Sequence, residues 1–183
     1  MSKRIVLVGF SGAGKSTLAK IIAKHFNFSV RDTDKILEEK YKISVFDIFN
    51  KYGESVFREL EYNNLKEMLQ QENVVIATGG GTPCIFDAMK LINDSAFSIY
   101  IKMSAKSLVH RLLHAKVARP LTKNKTEEDI QVYVTELLAL REPVYSQAHL
   151  TVKGENFKFS DIISSCIADT FFSKENHSAI RQG

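Results

Sequence analysis

The sequence has little cysteine and no long apolar run, and each shortage excludes a class of protein. Cys84 and Cys166 are the only cysteines in 183 residues, and their separation matches neither a metal site nor a disulfide framework. We therefore expect both cysteines to be small buried apolar residues of a protein in a reducing compartment. No apolar stretch approaches the roughly 20 residues of a membrane-spanning helix. The short apolar run near the N-terminus leads directly into a glycine-rich loop, so we do not expect an exported protein.

The sequence also lacks a concentrated block of charge of one sign. The formal net charge is +4, and its basic residues are spread along the chain. A modest positive excess suits a nucleic-acid-binding protein, and it equally suits an enzyme whose substrates are anions. Composition alone leaves both classes open.

Five β-rich runs alternate with segments of helical spacing, which predicts one α/β domain over residues 1–183. The predicted strands are residues 4–8, 28–31, 73–77, 97–101 and 149–152. The predicted helices are residues 16–26, 34–71 with an interruption near Gly53, 83–93, 104–115 and 161–172. Strands separated by helices indicate a parallel sheet that is covered on both faces.

The strongest motif is a glycine loop between the first strand and the first helix. Residues 9–16 read Gly-Phe-Ser-Gly-Ala-Gly-Lys-Ser and match the phosphate-loop pattern G-x-x-x-x-G-K-[ST]. Glycines allow positive φ angles, so backbone N–H groups turn inward around an anion, and the helix N-terminus adds partial positive charge. Lys15 is placed to reach the β- and γ-phosphates of ATP, and the Ser16 hydroxyl is placed to bind Mg²⁺.

Two motifs of switch GTPases are missing. D-x-x-G, which senses the γ-phosphate, does not occur in the sequence. The nearest match to the guanine motif N-K-x-D is Asn124-Lys125-Thr126-Glu127, which ends in Glu and follows no buried strand. The loop therefore favours a kinase over a switch GTPase.

Asp32 and Asp34 lie at the end of the second predicted strand. Ligands of parallel α/β sheets bind beyond the carboxyl ends of the strands, and residues two apart on a strand point the same way. One carboxylate would help to hold Mg²⁺, while the other would accept a hydrogen bond from a substrate hydroxyl. Either residue would also suit the N-cap of the following helix.

A second glycine motif, Gly79-Gly80-Gly81, follows the third predicted strand. Three glycines remove every side chain, so a ligand can approach the backbone, although a flexible turn is the alternative. Arg58, with Glu54 and Glu61 on one helix face, is either a positioned guanidinium or part of a solvated salt-bridge face.

Residues 116–128 form a polar, basic segment in which Pro120 prevents a continuous helix. This segment contains Arg119 and is either a mobile flap or an ordinary surface loop.

Together these motifs resemble the shikimate kinase family. The likeness covers about residues 4–152 and follows the family in order and spacing. Its motifs are residues 9–17, Asp32-Thr33-Asp34, Phe57-Arg58 with Glu61, Gly79-Gly80-Gly81, Arg119-Pro120-Leu121 and Arg141-x-Pro143-x-Tyr145. The resemblance implies a three-layer P-loop NTPase fold, with a five-stranded parallel sheet in the order 2-3-1-4-5. It also implies transfer of the ATP γ-phosphate to the 3-hydroxyl of shikimate, with Mg²⁺ as cofactor, in the pathway to chorismate and the aromatic amino acids.

The resemblance further implies a role for each motif residue. The catalytic residues would be Lys15, Asp34 and Arg119. The ATP-binding residues would be Gly12, Ala13, Gly14, Lys15, Ser16, Thr17, Arg111 and Arg119, with Arg111 stacking on the adenine. The shikimate-binding residues would be Asp34, Arg58, Gly79, Gly80, Gly81 and Arg141, with the arginines on the carboxylate. Ser16 and Asp32 would hold the metal.

The resemblance also predicts two functional regions within the single domain. Residues 34–62 would form the shikimate-binding region, and residues 112–126 a lid. We expect a cytoplasmic monomer that binds neither nucleic acid nor a membrane. The alternative is a gluconate-type sugar-acid kinase, which shares the phosphate loop and also phosphorylates a hydroxylated carboxylate.

Overall fold

Five parallel strands form one sheet at the centre of the fold. The computed structural model describes residues 3–114, 126–157 and 159–162. The strands are β1 (Arg4–Val8), β2 (Ser29–Asp32), β3 (Val74–Ala77), β4 (Phe97–Lys102) and β5 (Leu150–Lys153). Their order across the sheet is β2-β3-β1-β4-β5, and every neighbouring pair is parallel. This order confirms the predicted α/β fold.

Helices connect successive strands. The helices are α1 (Lys15–Phe26), α2 (Thr33–Tyr41), α3 (Val45–Leu69), α4 (Ala88–Ser95), α5 (Ala105–Leu113), α6 (Glu127–Tyr145) and α7 (Phe159–Ile162). A short 3₁₀ turn, Thr82–Cys84, lies between β3 and α4. Among the helices in the described ranges, none has both the length and the apolar character that crossing a bilayer requires.

The central strands are buried because helices cover both faces of the sheet. In β1 every residue from Ile5 to Val8 is buried, and so is every residue of β3. β1 pairs with β3 through Leu7 and Ala77, and with β4 through Val8 and Tyr100. Because the strands are parallel, the segments that follow β1, β2 and β3 meet at one edge of the sheet.

The predicted helix over residues 34–71 is wrong as a single helix. Lys42 adopts a left-handed conformation (φ 59°) and ends α2, and the Ser44 hydroxyl then accepts a hydrogen bond from the backbone N–H of Asp47 to begin α3. The expected interruption at Gly53 is confirmed, since this residue has φ 81° and ψ 169° within α3. The break at Lys42 could not be predicted from the sequence. Left-handed caps are usually glycine, and the helical spacing of apolar residues continues past this lysine.

Two further helix predictions differ from the structure. The helix predicted over residues 83–93 begins only at Ala88, because the 3₁₀ turn and Phe86, which has φ 46°, precede it. Of the helix predicted over residues 161–172, the described part is the end of α7, and the remainder lies outside the described residues.

Helices α2 and α3 share a small apolar cluster of their own. Leu37, Ile48 and Phe57 are its buried members, and it is separate from the main core around the sheet. Phe57 precedes Arg58, so packing of this cluster helps to set where the Arg58 side chain leaves the helix.

Candidate active site

The phosphate loop has the backbone geometry that its sequence predicts. Gly9, Gly12 and Gly14 have φ angles of 140°, 89° and 99°. A Cβ atom at Gly9 would lie 2.8 Å from the carbonyl oxygen of Ile101, so this position also requires glycine for space. Gly14 caps α1 without a side-chain hydrogen bond, and the first turn of α1 contains no acidic residue. The N-terminal N–H groups and helix dipole therefore favour an anion here.

The Lys15 side chain is buried against this loop. Its Nζ atom donates hydrogen bonds of 2.8 Å to each of the carbonyl oxygens of Gly9 and Phe10. These two bonds hold the ammonium group against the loop. Ala13 is buried beside it, and the Thr17 backbone N–H donates to the Gly14 carbonyl at 3.1 Å in the first turn of α1.

Ser16 and Asp32 lie together where the loop meets the end of β2. The Ser16 hydroxyl donates to Oδ2 of Asp32 at 2.6 Å. Oδ1 of Asp32 accepts from the backbone N–H of Lys35 at 3.4 Å, which makes Asp32 the N-cap of α2. The helix-cap alternative for Asp32 is therefore confirmed, and its role toward a metal stays a prediction. A hydroxyl and a carboxylate are hard oxygen ligands that fit Mg²⁺, which proteins hold with few groups besides phosphates and water. The described residues contain no cluster of three or more His, Cys, Asp or Glu that could hold a metal on its own.

Asp34 lies in the first turn of α2, and protein surrounds its carboxylate although the side chain keeps a partly open face. Burial, followed by the negative charges of Glu61 and Asp32, raises the pKa of Asp34 to about 6, while the Lys15 charge acts in the opposite direction. A carboxylate with a pKa near 6 is a stronger proton acceptor than an ordinary aspartate and is still ionised at neutral pH.

The Gly79 backbone packs directly against this carboxylate. A Cβ atom at Gly79 would lie 2.5 Å from Oδ1 of Asp34 and 2.9 Å from the Thr82 hydroxyl oxygen. The Gly79 N–H donates to the Thr33 hydroxyl at 2.7 Å, and the Thr33 carbonyl accepts from the Asn64 amide at 2.9 Å. The first glycine of the triplet therefore brings the chain close to Asp34, where any side chain would displace the carboxylate.

Arg58 and Arg141 converge on the third glycine of the triplet. A Cβ atom at Gly81 would lie 3.0 Å from a guanidinium nitrogen of Arg58 and 3.4 Å from one of Arg141. At Gly80 the nearest atoms to such a Cβ are the Ser11 backbone nitrogen, at 3.0 Å, and a guanidinium nitrogen of Arg141, at 3.6 Å. The triplet thus lies between the phosphate loop and two guanidinium groups, which suit an anion such as a carboxylate.

Arg58 is positioned by a buried carboxylate as well as by an exposed one. Its Nη1 atom donates to Glu61 at 2.6 Å, and its Nη2 atom donates to Glu54 at 3.2 Å. Glu61 is 2% exposed, and its other oxygen accepts from the Thr82 hydroxyl at 3.0 Å. The alternative of a solvated salt-bridge face thus describes Glu54 but not Glu61.

Arg111, the predicted adenine-stacking residue, lies against the outside of the phosphate loop. Its Nη1 atom donates to the Ala13 carbonyl at 3.1 Å, and its Nη2 atom donates to the Gly154 carbonyl at 3.3 Å. These bonds join the phosphate loop to the residues after β5, and the adenine contact of Arg111 stays a prediction.

Two predicted features cannot be placed in this geometry. Arg119 lies outside the described residues, and so does most of the predicted lid over residues 112–126. Their roles stay predictions.

The sequence model of the shikimate kinase family matches residues 11–170. This chain belongs to the shikimate kinase family. The shikimate kinase of Azobacteroides pseudotrichonymphae is 43% identical over 164 residues, which are 89% of this chain and 96% of that protein. The shikimate kinase of Parabacteroides distasonis is 41% identical and shares 84% of this chain and 88% of its own.

Solved structures of shikimate kinases have the same fold. The enzyme of Bacteroides thetaiotaomicron superimposes with a TM-score of 0.84 at 34% identity, over 96% of this chain and 99% of that one. The enzyme of Acinetobacter baumannii, solved in complex with shikimate, gives a TM-score of 0.81 at 27% identity, over 95% of both chains. The five-stranded sheet and its order are therefore those of shikimate kinases.

The sequence did not single out several residues that support this shikimate kinase site. The Thr33 hydroxyl accepts from the Gly79 N–H, Asn64 donates to the Thr33 carbonyl, and Thr82 donates to Glu61 behind Arg58. All three are polar residues that are no more than 3% exposed. Thr33 lies between the two aspartates and Thr82 directly follows the triplet, so position gave a weak signal for these two. Asn64 lies on a helix and has no such signal.

Proposed function

We propose that this chain transfers the γ-phosphate of ATP to the 3-hydroxyl of shikimate, giving shikimate 3-phosphate and ADP. Membership of the shikimate kinase family makes the chain an ATP-dependent kinase of shikimate. The observation that best supports the residue assignments is the convergence of Arg58 and Arg141 at Gly81. These guanidinium groups would bind the shikimate carboxylate, and the close approach of the backbone at the triplet leaves room for the ring.

Asp34 would act on the hydroxyl that is phosphorylated. The triplet approaches both Asp34 and the phosphate loop, since a Cβ atom at Gly79 would lie 2.5 Å from the Asp34 carboxylate and one at Gly80 would lie 3.0 Å from the Ser11 backbone nitrogen. In this position the Asp34 carboxylate would accept the hydrogen bond of the attacking hydroxyl and take up the proton as the oxygen–phosphorus bond forms. The raised pKa of Asp34 supports this role, since it brings the proton affinity of the carboxylate closer to neutral pH.

The phosphate loop would bind the triphosphate of ATP. The N–H groups at the N-terminus of α1 and the α1 dipole favour the phosphates, and Lys15 would exchange its loop carbonyls for the β- and γ-phosphate oxygens. Ser16 and Asp32 would hold Mg²⁺, which supplies charge neutralisation at the phosphates when it is bound. Arg111 would contact the adenine, and Arg119 would add positive charge from the lid.

The remaining expectations concern the setting of the enzyme. We infer a cytoplasmic monomer, a single domain, that acts on small molecules and does not bind nucleic acid. Two cysteines without a pairing pattern suit a reducing compartment, and the basic residues are spread along the chain rather than concentrated.

An ADP-release assay with several acceptors tests the proposed function. We expect ATP turnover that depends on shikimate, with quinate and gluconate far less active although both also carry a carboxylate and hydroxyl groups. Mass spectrometry of the product should show one added phosphoryl group. Chelation of the divalent metal should abolish turnover, and added Mg²⁺ should restore it. A folded chain that releases no ADP with shikimate and Mg²⁺, or that prefers gluconate, would contradict the proposal.

A further inference from the structure

Tyr145 joins the end of α6 to the glycine triplet. The residue is fully buried, and its hydroxyl donates a hydrogen bond to the carbonyl oxygen of Gly80. Burial raises the pKa of Tyr145, so the hydroxyl keeps the proton that it donates. Arg141 precedes Tyr145 by one helical turn and lies on the same side of α6. A single helix end therefore contacts the triplet through two side chains.

The other backbone N–H and carbonyl groups of the triplet differ in whether they bond to protein. The Gly79 N–H is taken by Thr33, and the Gly81 carbonyl accepts from the Cys84 N–H at 2.9 Å. Within the part of the chain that the structure describes, the N–H groups of Gly80 and Gly81 donate to no protein group. A Cβ atom at either of these glycines would lie 3.6 Å or less from a guanidinium nitrogen of Arg141.

The Tyr145 bond determines the direction of one of these donors. The Gly80 carbonyl and the Gly81 N–H belong to one planar trans peptide, so they point in opposite directions. When the hydroxyl holds the carbonyl, the Gly81 N–H is turned away from α6. Glycine backbones otherwise rotate easily, and a triplet without this bond would sample many peptide orientations.

We propose that Tyr145 is a positioning residue, whose hydroxyl fixes the Gly80–Gly81 peptide beside Arg141 so that the Gly81 N–H is presented to the acceptor substrate. This inference rests on the proposed function, because it names the acceptor as shikimate. Tyr145 touches neither substrate in this scheme and acts through the backbone of Gly80 and Gly81.

Tyr100 offers a matched control in the same core. Its ring packs against that of Tyr145 with centroids 5.3 Å apart, and it is 1% exposed. Unlike Tyr145, its buried hydroxyl has no hydrogen-bond partner among the described residues. Replacement of either tyrosine by phenylalanine removes one buried hydroxyl and keeps the ring, but only Tyr145→Phe releases the Gly80 carbonyl.

Steady-state kinetics of the two variants beside the unaltered chain test the proposal. We expect Tyr145→Phe to raise the KM for shikimate about tenfold and to leave the KM for ATP within about twofold, since the loss of a buried hydrogen bond affects the acceptor side alone. Tyr100→Phe should leave both constants within about twofold. Amide hydrogen exchange of the Gly79 N–H, which is bonded to Thr33, should be faster in Tyr145→Phe than in Tyr100→Phe.

Three results would overturn the proposal. The first is a Tyr145→Phe variant with an unchanged shikimate KM, and the second is an equal rise in both constants, which a general loss of structure would cause. The third is a Tyr145→Phe variant that is unfolded at every temperature at which Tyr100→Phe is folded. The Tyr145 hydroxyl would then be needed for the whole fold and not for the triplet alone. The unaltered chain separates this inference from the proposed function. If the unaltered chain does not turn over shikimate, the proposed function is wrong. If it does, and Tyr145→Phe has the same shikimate KM, only the role of Tyr145 is wrong.

Discussion

At the scale of single residues, the ionised Asp34 carboxylate lowers the stability of the folded chain. This carboxylate lies among protein atoms and near the charges of Glu61 and Asp32, which raise its pKa from 3.8 to about 6. The folded chain therefore binds this proton more tightly than the unfolded chain. Ionisation of Asp34 therefore lowers the free energy of unfolding. This loss is absent below about pH 4, grows between about pH 4 and 6, and stays constant at higher pH.

Replacement of Asp34 by asparagine should remove both the cost and the chemistry. We expect Asp34→Asn to raise the free energy of unfolding by about 1 to 3 kcal/mol at pH 8, a figure reduced for the partly open face of the side chain. This gain should shrink as the pH falls through about 6. Turnover should fall at least about a hundredfold, because amide groups do not take up the proton. Urea unfolding at several pH values and the ADP-release assay measure the two effects.

Nucleotide binding is the control for this variant. An ATP analogue should still bind to Asp34→Asn within about threefold of its original affinity, since the phosphate loop is unaltered. If turnover were near normal, or if the stability gain were the same at pH 4 and pH 8, the role given to the Asp34 carboxylate would be wrong.

At the scale of structural elements, one hydroxyl connects the β2–α2 junction to the segment after β3. Thr33 is fully buried at the start of α2 and accepts the Gly79 N–H at 2.7 Å. The strands β2 and β3 are neighbours in the sheet, with Asp32 opposite Ala77 in the register. The bond extends this pairing beyond the end of the sheet and holds the triplet beside Asp34.

Thr33→Val tests this connection because valine keeps the shape of threonine and lacks the hydroxyl. The Gly79 N–H would remain buried without an acceptor, so we expect a loss of about 1–3 kcal/mol in the free energy of unfolding. We also expect about a tenfold lower kcat/KM for shikimate. Thr33→Ser retains the hydroxyl and loses one methyl group, worth about 1 kcal/mol. Its kcat/KM should stay within about threefold of the original, and equal losses in both variants would show that packing, not the hydrogen bond, matters.

At the scale of the whole molecule, ligand binding should stabilise the fold by mass action. A ligand that binds only the folded chain adds about 2.7 kcal/mol when its concentration is 100 times its Kd. The contacts proposed for shikimate and for ATP lie on different elements, since Arg58, Arg141 and the triplet belong to α3, α6 and the segment after β3, and the proposed nucleotide groups lie on the phosphate loop and α5. Their stabilising effects should therefore be separable by substitution.

Arg58→Ala should separate them. We expect shikimate to raise the thermal midpoint of the unaltered chain by several degrees and to raise that of Arg58→Ala far less, because the carboxylate loses a charged partner. The ATP analogue should stabilise both chains equally. Arg4→Ala is the matched control. Arg4 lies at the amino end of the central strand β1, at the end opposite the phosphate loop, and donates to the Gln71 carbonyl at 2.8 Å. Equal loss of both ligand effects in Arg58→Ala would indicate damage to the fold instead.

The sequence by itself determined the fold class, the phosphate loop and the identity of the family. Burial in a parallel sheet and the angles of a glycine loop are local properties, and so they leave spacing patterns in the chain. The place of Asp32 at the end of β2 follows from the same local rules, whereas Asp34 lies in the first turn of α2 and the lack of space at Gly9 comes from the Ile101 carbonyl on β4. The resemblance supplied the roles of Arg58 and Arg141, which separate motifs do not reveal.

Only the tertiary structure decided how these groups are held. The break between α2 and α3 depends on a left-handed Lys42, and no pattern of spacing marks it. The bond from Tyr145 to Gly80 joins residues 65 apart in sequence, and the bond from Gly79 to Thr33 joins residues 46 apart. Such contacts form when the backbone path brings distant segments together, and a hydrogen bond between them depends on position in space, which composition and periodicity do not encode.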